Sequence, residues 1–512
     1  MIRLPFVVLL AAASGSLLIV RAQEKAPESP KPEKKEEAKP DEKKPAKDDK
    51  PDQTVETQHQ ITAGGQPLAY TATAGTLTLT KAYGEPRAKV FYVSYVRTPA
   101  EPAGRRPVCF CFNGGPGSSA VWLHLGAFGP RRVVLPEGGT TAPRPPYALT
   151  DNEYTLLRDA DLVFVDPVST GLSQPEKGED PKQFHGFNED VESVGDFVRL
   201  WITKQNRWGS PKFLMGESYG AIRVSGLADH LQDRYGMYLN GIIIVSGLLD
   251  FKTLSPEDQN DVPYIGWLPA YVATAHYHKK LAPELMGDFQ SLWNRAREFA
   301  RGAYAQALLR GSALPAEDRD RIAAELSTLT SLPKDFILRE NLRIDPSAFR
   351  RKLLEKEDKV IGRFDSRVIG VADDPSYTVI YGAFATAMNT YLRDKDGLNF
   401  QTDRPYEILN GGGVQPWNYG RGNRYFDVCS NLASAMTGNT ALQLFVACGY
   451  HDLATPAEGI EYSIRHLNLP ADVRSHIHFG YYDGGHMMYT VIPSLQKLTS
   501  DLSGFIRQNS TP

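Results

Sequence analysis

The stretch Pro211–Gly220 reads PKFLMGESYG: apolar residues lead into Gly216-Glu217-Ser218-Tyr219-Gly220, and a helix-compatible stretch follows. A serine between two glycines at a strand-to-helix turn is built to be a nucleophile. The tight turn lifts its Oγ clear of the sheet, the glycines admit close packing, and the new helix turns N–H groups toward a developing oxyanion. An ordinary glycine-rich turn could carry the same pentapeptide. A second motif narrows the choice, because Asn113-Gly114-Gly115-Pro116-Gly117-Ser118-Ser119 directly follows the apolar run Val108–Phe112. Three glycines and a proline within residues 113–117 make a loop whose backbone can approach a ligand closely. A phosphate cradle would need a Lys-Ser/Thr ending, which this loop lacks.

These residues carry a resemblance. Asn-Gly-Gly-Pro-Gly-x-Ser at 113–119, Gly129-Pro130, Asp166-Pro167-Val168-x-Thr170-Gly171-x-Ser173 and Gly-Glu-Ser-Tyr-Gly resemble the serine carboxypeptidases in order and spacing. The resemblance runs from about Phe91 to Ser246, resumes near Leu442, and is weak between. It implies an α/β-hydrolase fold, whose triad runs serine, acid, histidine along the chain. It further implies Asp452, in Gly449-Tyr450-His451-Asp452, as the acid and His486, in Gly484-Gly485-His486-Met487, as the base. Of the eleven histidines, His451 shares the turn of Asp452, and His124, His476 and His478 read as packing or surface residues.

The implied roles follow from proton bookkeeping. His486 takes the proton of Ser218 and returns it to the leaving amine, while Asp452 fixes the imidazole tautomer. The backbone N–H groups of Gly115 and Tyr219 hold the oxyanion. By resemblance, Asn113, Gly114 and a protonated Glu217 bind the C-terminal carboxylate of a peptide, so hydrolysis through an acyl-enzyme favours acid pH. Peptide or protein C-termini are the implied substrates, and no cofactor or metal is called for. Three residues depart from the family pattern. Cys111 stands where Trp is usual, Ser118 where Cys is usual, and Ala127 where a Glu would pair with Glu217. Losing that partner should lower the pKa of Glu217. It also leaves room for an esterase or acyltransferase on the same scaffold; a catalytically silent binding protein is the third reading, against which the retained triad and loops argue.

Elements must position these residues. Period-two or short apolar runs at 76–79, 90–96, 108–112, 162–165, 213–215, 241–245, 442–447 and 476–481 read as strands, the first two as antiparallel edge strands. The later runs, separated by helical stretches such as 188–205 and 219–235, predict a mostly parallel sheet covered on both faces. The pattern stops near Asp250, so the chain divides into a first core part (56–250), a mainly helical insertion (251–375) that could act as a lid or pack as its own unit, and a second core part (376–512). Arg3 and the apolar run Leu4–Val20 predict a signal peptide over 1–22, with an uncleaved signal anchor as the alternative, hence export to the periplasm or outside, and the Lys/Glu/Pro-rich stretch 23–55 predicts a disordered linker. A net charge of −3 points to no nucleic-acid partner, and no later stretch is apolar enough to span a bilayer. Cys109 and Cys111 alternate on a strand and read as core; a Cys429–Cys448 disulfide is open.

Overall fold

The computed structural model describes residues 52–99, 106–420, 422 and 425–511. The expected signal peptide and nearly all of the expected linker lie outside the described residues. Nine strands form the spine of one mixed sheet: β1 (Thr54–Ala63), β2 (Gln66–Thr80), β3 (Pro86–Arg97), β4 (Val108–Phe112), β5 (Asp161–Val165), β6 (Lys212–Glu217), β7 (Gly241–Val245), β8 (Gln443–Gly449) and β9 (Ile477–Tyr482). Their spatial order is β1-β2-β3-β5-β4-β6-β7-β8-β9, and a two-residue strand, Gln174–Pro175, pairs with β3. β1, β2 and β3 are antiparallel meander strands, β3 meets β5 antiparallel, and every pairing from β5 to β9 is parallel.

The central strands are apolar throughout because helices cover both of their faces. Successive side chains point to opposite sides, and the core divides accordingly. Cys109, Cys111, Met215, Ile243 and Val245 join one apolar cluster, while Val108, Phe110, Phe112, Leu214, Ile242 and Ile244 join the other. The second cluster is roofed by α1 (Phe187–Lys204) and α2 (Tyr219–Tyr235), which supply residues such as Phe197, Trp201 and Leu227. The first is roofed by Pro375–Arg393 and Ile492–Gln508, through Phe384, Met388, Leu495 and Leu502. Full burial of each such side chain stabilises by roughly 1.5–3 kcal/mol, so the layering is strongly specified.

Two expectations change. The runs at 76–79 and 90–96 belong to inner strands; the edge is β1, which begins at Thr54, inside the expected linker. Its sequence, TVETQHQITA, alternates exposed with half-buried residues until only Ile61 and Ala63 are buried, and so lacks an apolar run. The four cysteines are all free thiols, so Cys429 and Cys448 do not pair.

Between β7 and β8 the chain leaves the sheet. Helices Val262–Tyr277, Phe289–Phe299, Ala305–Arg310, Ala316–Thr330, Lys334–Arg339 and Pro346–Lys352 enclose a separate apolar core that includes Trp267, Tyr271, Leu326 and Phe349. Stacking of Tyr271 on Phe349, with ring centroids 4.0 Å apart, closes it across the insertion. Leu453, the neighbour of Asp452, also packs into this core. No helix among the described residues is long and apolar enough to cross a membrane.

Candidate active site

The turn from β6 into α2 holds Ser218 at φ 60° and ψ −125°, a conformation that L-residues adopt only under constraint. The constraint is steric and local. A Cβ on Gly216 would stand 2.1 Å from the Gly220 carbonyl oxygen, so only glycine lets strand and helix approach this closely. Ser218 N–H donates to the Val245 carbonyl (3.1 Å), tying the turn to the neighbouring strand. Since β4 lies directly beside β6, the 113–119 loop leaves the sheet next to this turn. A Cβ on Gly114 would come within 2.5 Å of Tyr219 N and 2.9 Å of Ser218 Cβ. The two glycine motifs therefore close on each other. Arg223 of α2 locks them from behind, donating to the Asn113 carbonyl (2.6 Å) and pairing with Asp190 (2.8 Å), both charges buried.

Asp452 and His486 leave the adjacent parallel strands β8 and β9. His486 Nδ1 lies 2.9 Å from Asp452 Oδ2, which leaves Nε2 as the free ring nitrogen. Asp452 Oδ1 accepts from the N–H groups of Ala454 (2.7 Å) and Thr455 (2.9 Å). Thr455 Oγ1 sits 2.8 Å from Asp452 Oδ2, 3.0 Å from His486 Nδ1 and 2.7 Å from the Ser246 carbonyl oxygen. Its single proton serves one acceptor at a time. Burial would push Asp452 up, but His486 and the Thr455 donors outweigh it and hold the carboxyl below its ordinary value. Burial likewise pulls His486 down, and the Asp452 carboxylate more than offsets this, so the imidazole stays above its usual 6.5.

The segment after the insertion holds both loops. Leu453 N–H donates to the Arg363 carbonyl (3.1 Å) and His486 N–H to the Phe364 carbonyl (2.5 Å). Ser366 N–H donates to the His451 carbonyl (3.0 Å), and Gly485 N–H to Asp365 Oδ2 (3.3 Å). Asp365 is fixed in turn by a bidentate pair with Arg367. The Phe364 ring packs on the imidazole at 5.2 Å. This strut is invisible in the sequence pattern.

Ser218, Tyr219, Gly114, Gly115, Glu217 and His486 line one cleft of about 430 Å³. Its far walls are Leu248, Phe251, Arg363, Phe364, Tyr377, Ile380 and Leu409. The helices from Val262 to Lys352 supply none of the lining; the segments flanking them do. Asn113 is fully buried behind the wall, its Oδ1 accepting from Leu123 N–H (3.1 Å) and its Nδ2 without a hydrogen-bond partner. Burial raises Glu217 to about 7, above its ordinary 4.5, against the opposing effects of His486, Tyr489 and Asn113. Ala127 offers it no acidic partner, yet the carboxyl lies above its ordinary range. Tyr489 is its partner instead, donating from Oη to Glu217 Oε2 at 2.6 Å. Neither Tyr489 nor Thr455 was marked by a motif.

Two other histidines have partners away from the cleft. His124 is buried against Tyr95 (2.6 Å), and burial lowers it to about 3; His451 faces Asp483 at 3.4 Å. Ser118 accepts the indole N–H of Trp122 at 2.8 Å, so the residue replacing the usual Cys is a core hydrogen-bond partner.

Sheet order, the strand-to-helix turn at Ser218 and the loops carrying Asp452 and His486 are those of an α/β-hydrolase. The serine carboxypeptidase family model matches residues 65–317. The chain is similar to serine carboxypeptidase-like 36 of Arabidopsis thaliana, 28% identical over 188 residues, or 36% of each chain. It is also similar to the lysosomal protective protein of Mus musculus, 28% identical over 210 residues, or 40% of this chain and 38% of the relative. The chain thus spans little more than a third of these curated relatives. Among solved structures it is similar to KEX1(Δ)p, a prohormone-processing carboxypeptidase from Saccharomyces cerevisiae. There the TM-score is 0.55 at 15% identity, covering 86% of this chain and 92% of that one, a likeness of fold. This chain's similarity to the serine carboxypeptidase family thus extends over residues 65–317.

Proposed function

We propose that this protein is a serine carboxypeptidase that releases C-terminal residues from peptides through an acyl-enzyme. The observation that carries the reading is Glu217, a buried carboxyl raised to about 7 that lines the same cleft as Ser218 and His486. A carboxyl that is neutral near pH 7 can donate a hydrogen bond to a substrate carboxylate, and the buried Asn113 amide, which acts on the same carboxyl, offers a second donor. Ser218 attacks the scissile carbonyl as His486 accepts its proton. The Gly115 and Tyr219 N–H groups stabilise the oxyanion, His486 protonates the leaving amine, and water then hydrolyses the ester. Export is part of the proposal; it rests on Arg3 and the apolar run Leu4–Val20, and N-terminal sequencing of the secreted protein tests it.

A peptide panel from pH 4 to 9 decides the activity. The expected result is stepwise release of C-terminal residues, absent for amidated peptides and lost in Ser218→Ala by about 10⁴-fold or more. The rate on free-carboxylate peptides should fall as pH rises through about 7, where Glu217 loses its proton. Ester substrates without that carboxylate should show no such fall. Glu217→Gln, whose amide donates at every pH, should remove it. Equal cleavage of amidated and free peptides would sink the exopeptidase reading and favour the esterase.

A further inference from the structure

Tyr489 stands three residues after His486, in the single 3-10 turn Met488–Thr490, so one loop carries both the base and the partner of Glu217. Both ends of the Oη–Oε2 bond are buried, Tyr489 at 1% and Glu217 at 3% exposure. The ring also fills the space beside the segment His124–Phe128, because a Cβ on Gly126, next to Ala127, would lie 2.7 Å from Tyr489 Cε2. Where the family resemblance implies an acidic residue, this chain has Ala127, and a phenol packs against the same segment. Oε2 is bonded to Tyr489, and the Asn113 side chain acts on the same carboxyl.

We propose that Tyr489 is a positioning residue of the substrate-carboxylate clamp: its hydroxyl holds Oε2 of Glu217 so that Oε1 meets the α-carboxylate of a bound peptide, in place of an acidic partner. The inference rests on the carboxypeptidase reading. It gives the clamp a different proton chemistry. Two carboxyl groups share a proton and hold the pair protonated, whereas a neutral phenol donates and stabilises the ionised carboxylate. Burial keeps the Tyr489 hydroxyl far above its ordinary value, so it stays a donor throughout. The other groups acting on Glu217 are His486, Asp452 and Asn113. None of these is removed by a change at Tyr489.

Tyr489→Phe keeps the ring and deletes the donor. The alkaline limb of kcat/KM for free-carboxylate peptides should move up by about one pH unit, the size expected for losing a hydrogen bond to a charged group. The ratio of peptide to C-terminal ester kcat/KM should fall roughly tenfold below that limb, mainly through KM. In a Glu217→Gln background the substitution should move no limb. Difference infrared spectroscopy against Glu217→Gln follows the protonated carboxyl directly, and its titration should shift upward in Tyr489→Phe. An unchanged infrared titration, or an unchanged limb with both substrates losing rate equally, would overturn the proposal. If the wild-type enzyme shows no preference for free carboxylates, the carboxypeptidase reading fails. The infrared shift then still decides whether Tyr489 governs Glu217.

Discussion

The two halves of the cleft are built by different means. The nucleophile half is assembled from neighbouring strands, with Ser218, Tyr219 and the 113–119 loop leaving β6 and β4 side by side and locked by glycine contacts under 3 Å. The acid–base half also leaves adjacent strands, but its loops are held by a third piece of chain, 363–366, which arrives from the far end of the insertion. Strand register alone places the serine. The histidine depends on a strut whose own position depends on a separate helical core. The insertion, whose helices line none of the cleft, reaches the acid–base loops through this strut, through Leu453, and through ring contacts of Tyr277 with His451 and of Trp293 with Tyr450.

Three substitutions break or sharpen that contrast. Gly114→Ala strikes the nucleophile half hardest. The added methyl would stand 2.5 Å from Tyr219 N, displacing a proposed oxyanion donor, and kcat should fall about 10²–10³-fold with the His486 NMR titration unchanged. Asp365→Ala tests the strut. It removes the acceptor for Gly485 N–H and leaves Arg367, at 3% side-chain exposure, without its bidentate partner. Urea unfolding should show a loss of about 3 kcal/mol, and kcat should drop roughly tenfold as the His486 loop loosens. Loss of stability with unchanged kcat would show that the strut is structural only. Thr455→Val has the smallest expected effect, because Asp452 keeps both N–H donors and its bond to His486. A loss of about 1 kcal/mol in stability and a few-fold lower kcat should be measured by the same assays.

The legible parts of this molecule share a cause. β4 and β7 were readable at their full extent, 108–112 and 241–245, because strands buried on both faces need unbroken apolar runs. The Ser218 turn and the Asn113 loop were readable because their geometry demands glycine at fixed local spacing, whatever the rest of the chain does. Family likeness followed the same boundary: the family model ends at 317, before Asp452 and His486. β1 was partly missed, since an edge strand exposed on one side needs no apolar run.

Sequence alone therefore pointed to the chemistry proposed at Ser218, since the proposed nucleophile and oxyanion loop are written in contiguous, sterically obligatory motifs. It also named Asp452 and His486, through family resemblance and the order in which such folds use their strands. Only the tertiary structure decided what surrounds Glu217. The Tyr489–Glu217 bond spans 272 residues, and the 363–366 strut reaches across to loops at 451–453 and 485–486. A tyrosine or a backbone carbonyl carries no mark of such a role, because its hydrogen bond depends on where the fold delivers it rather than on its neighbours in sequence.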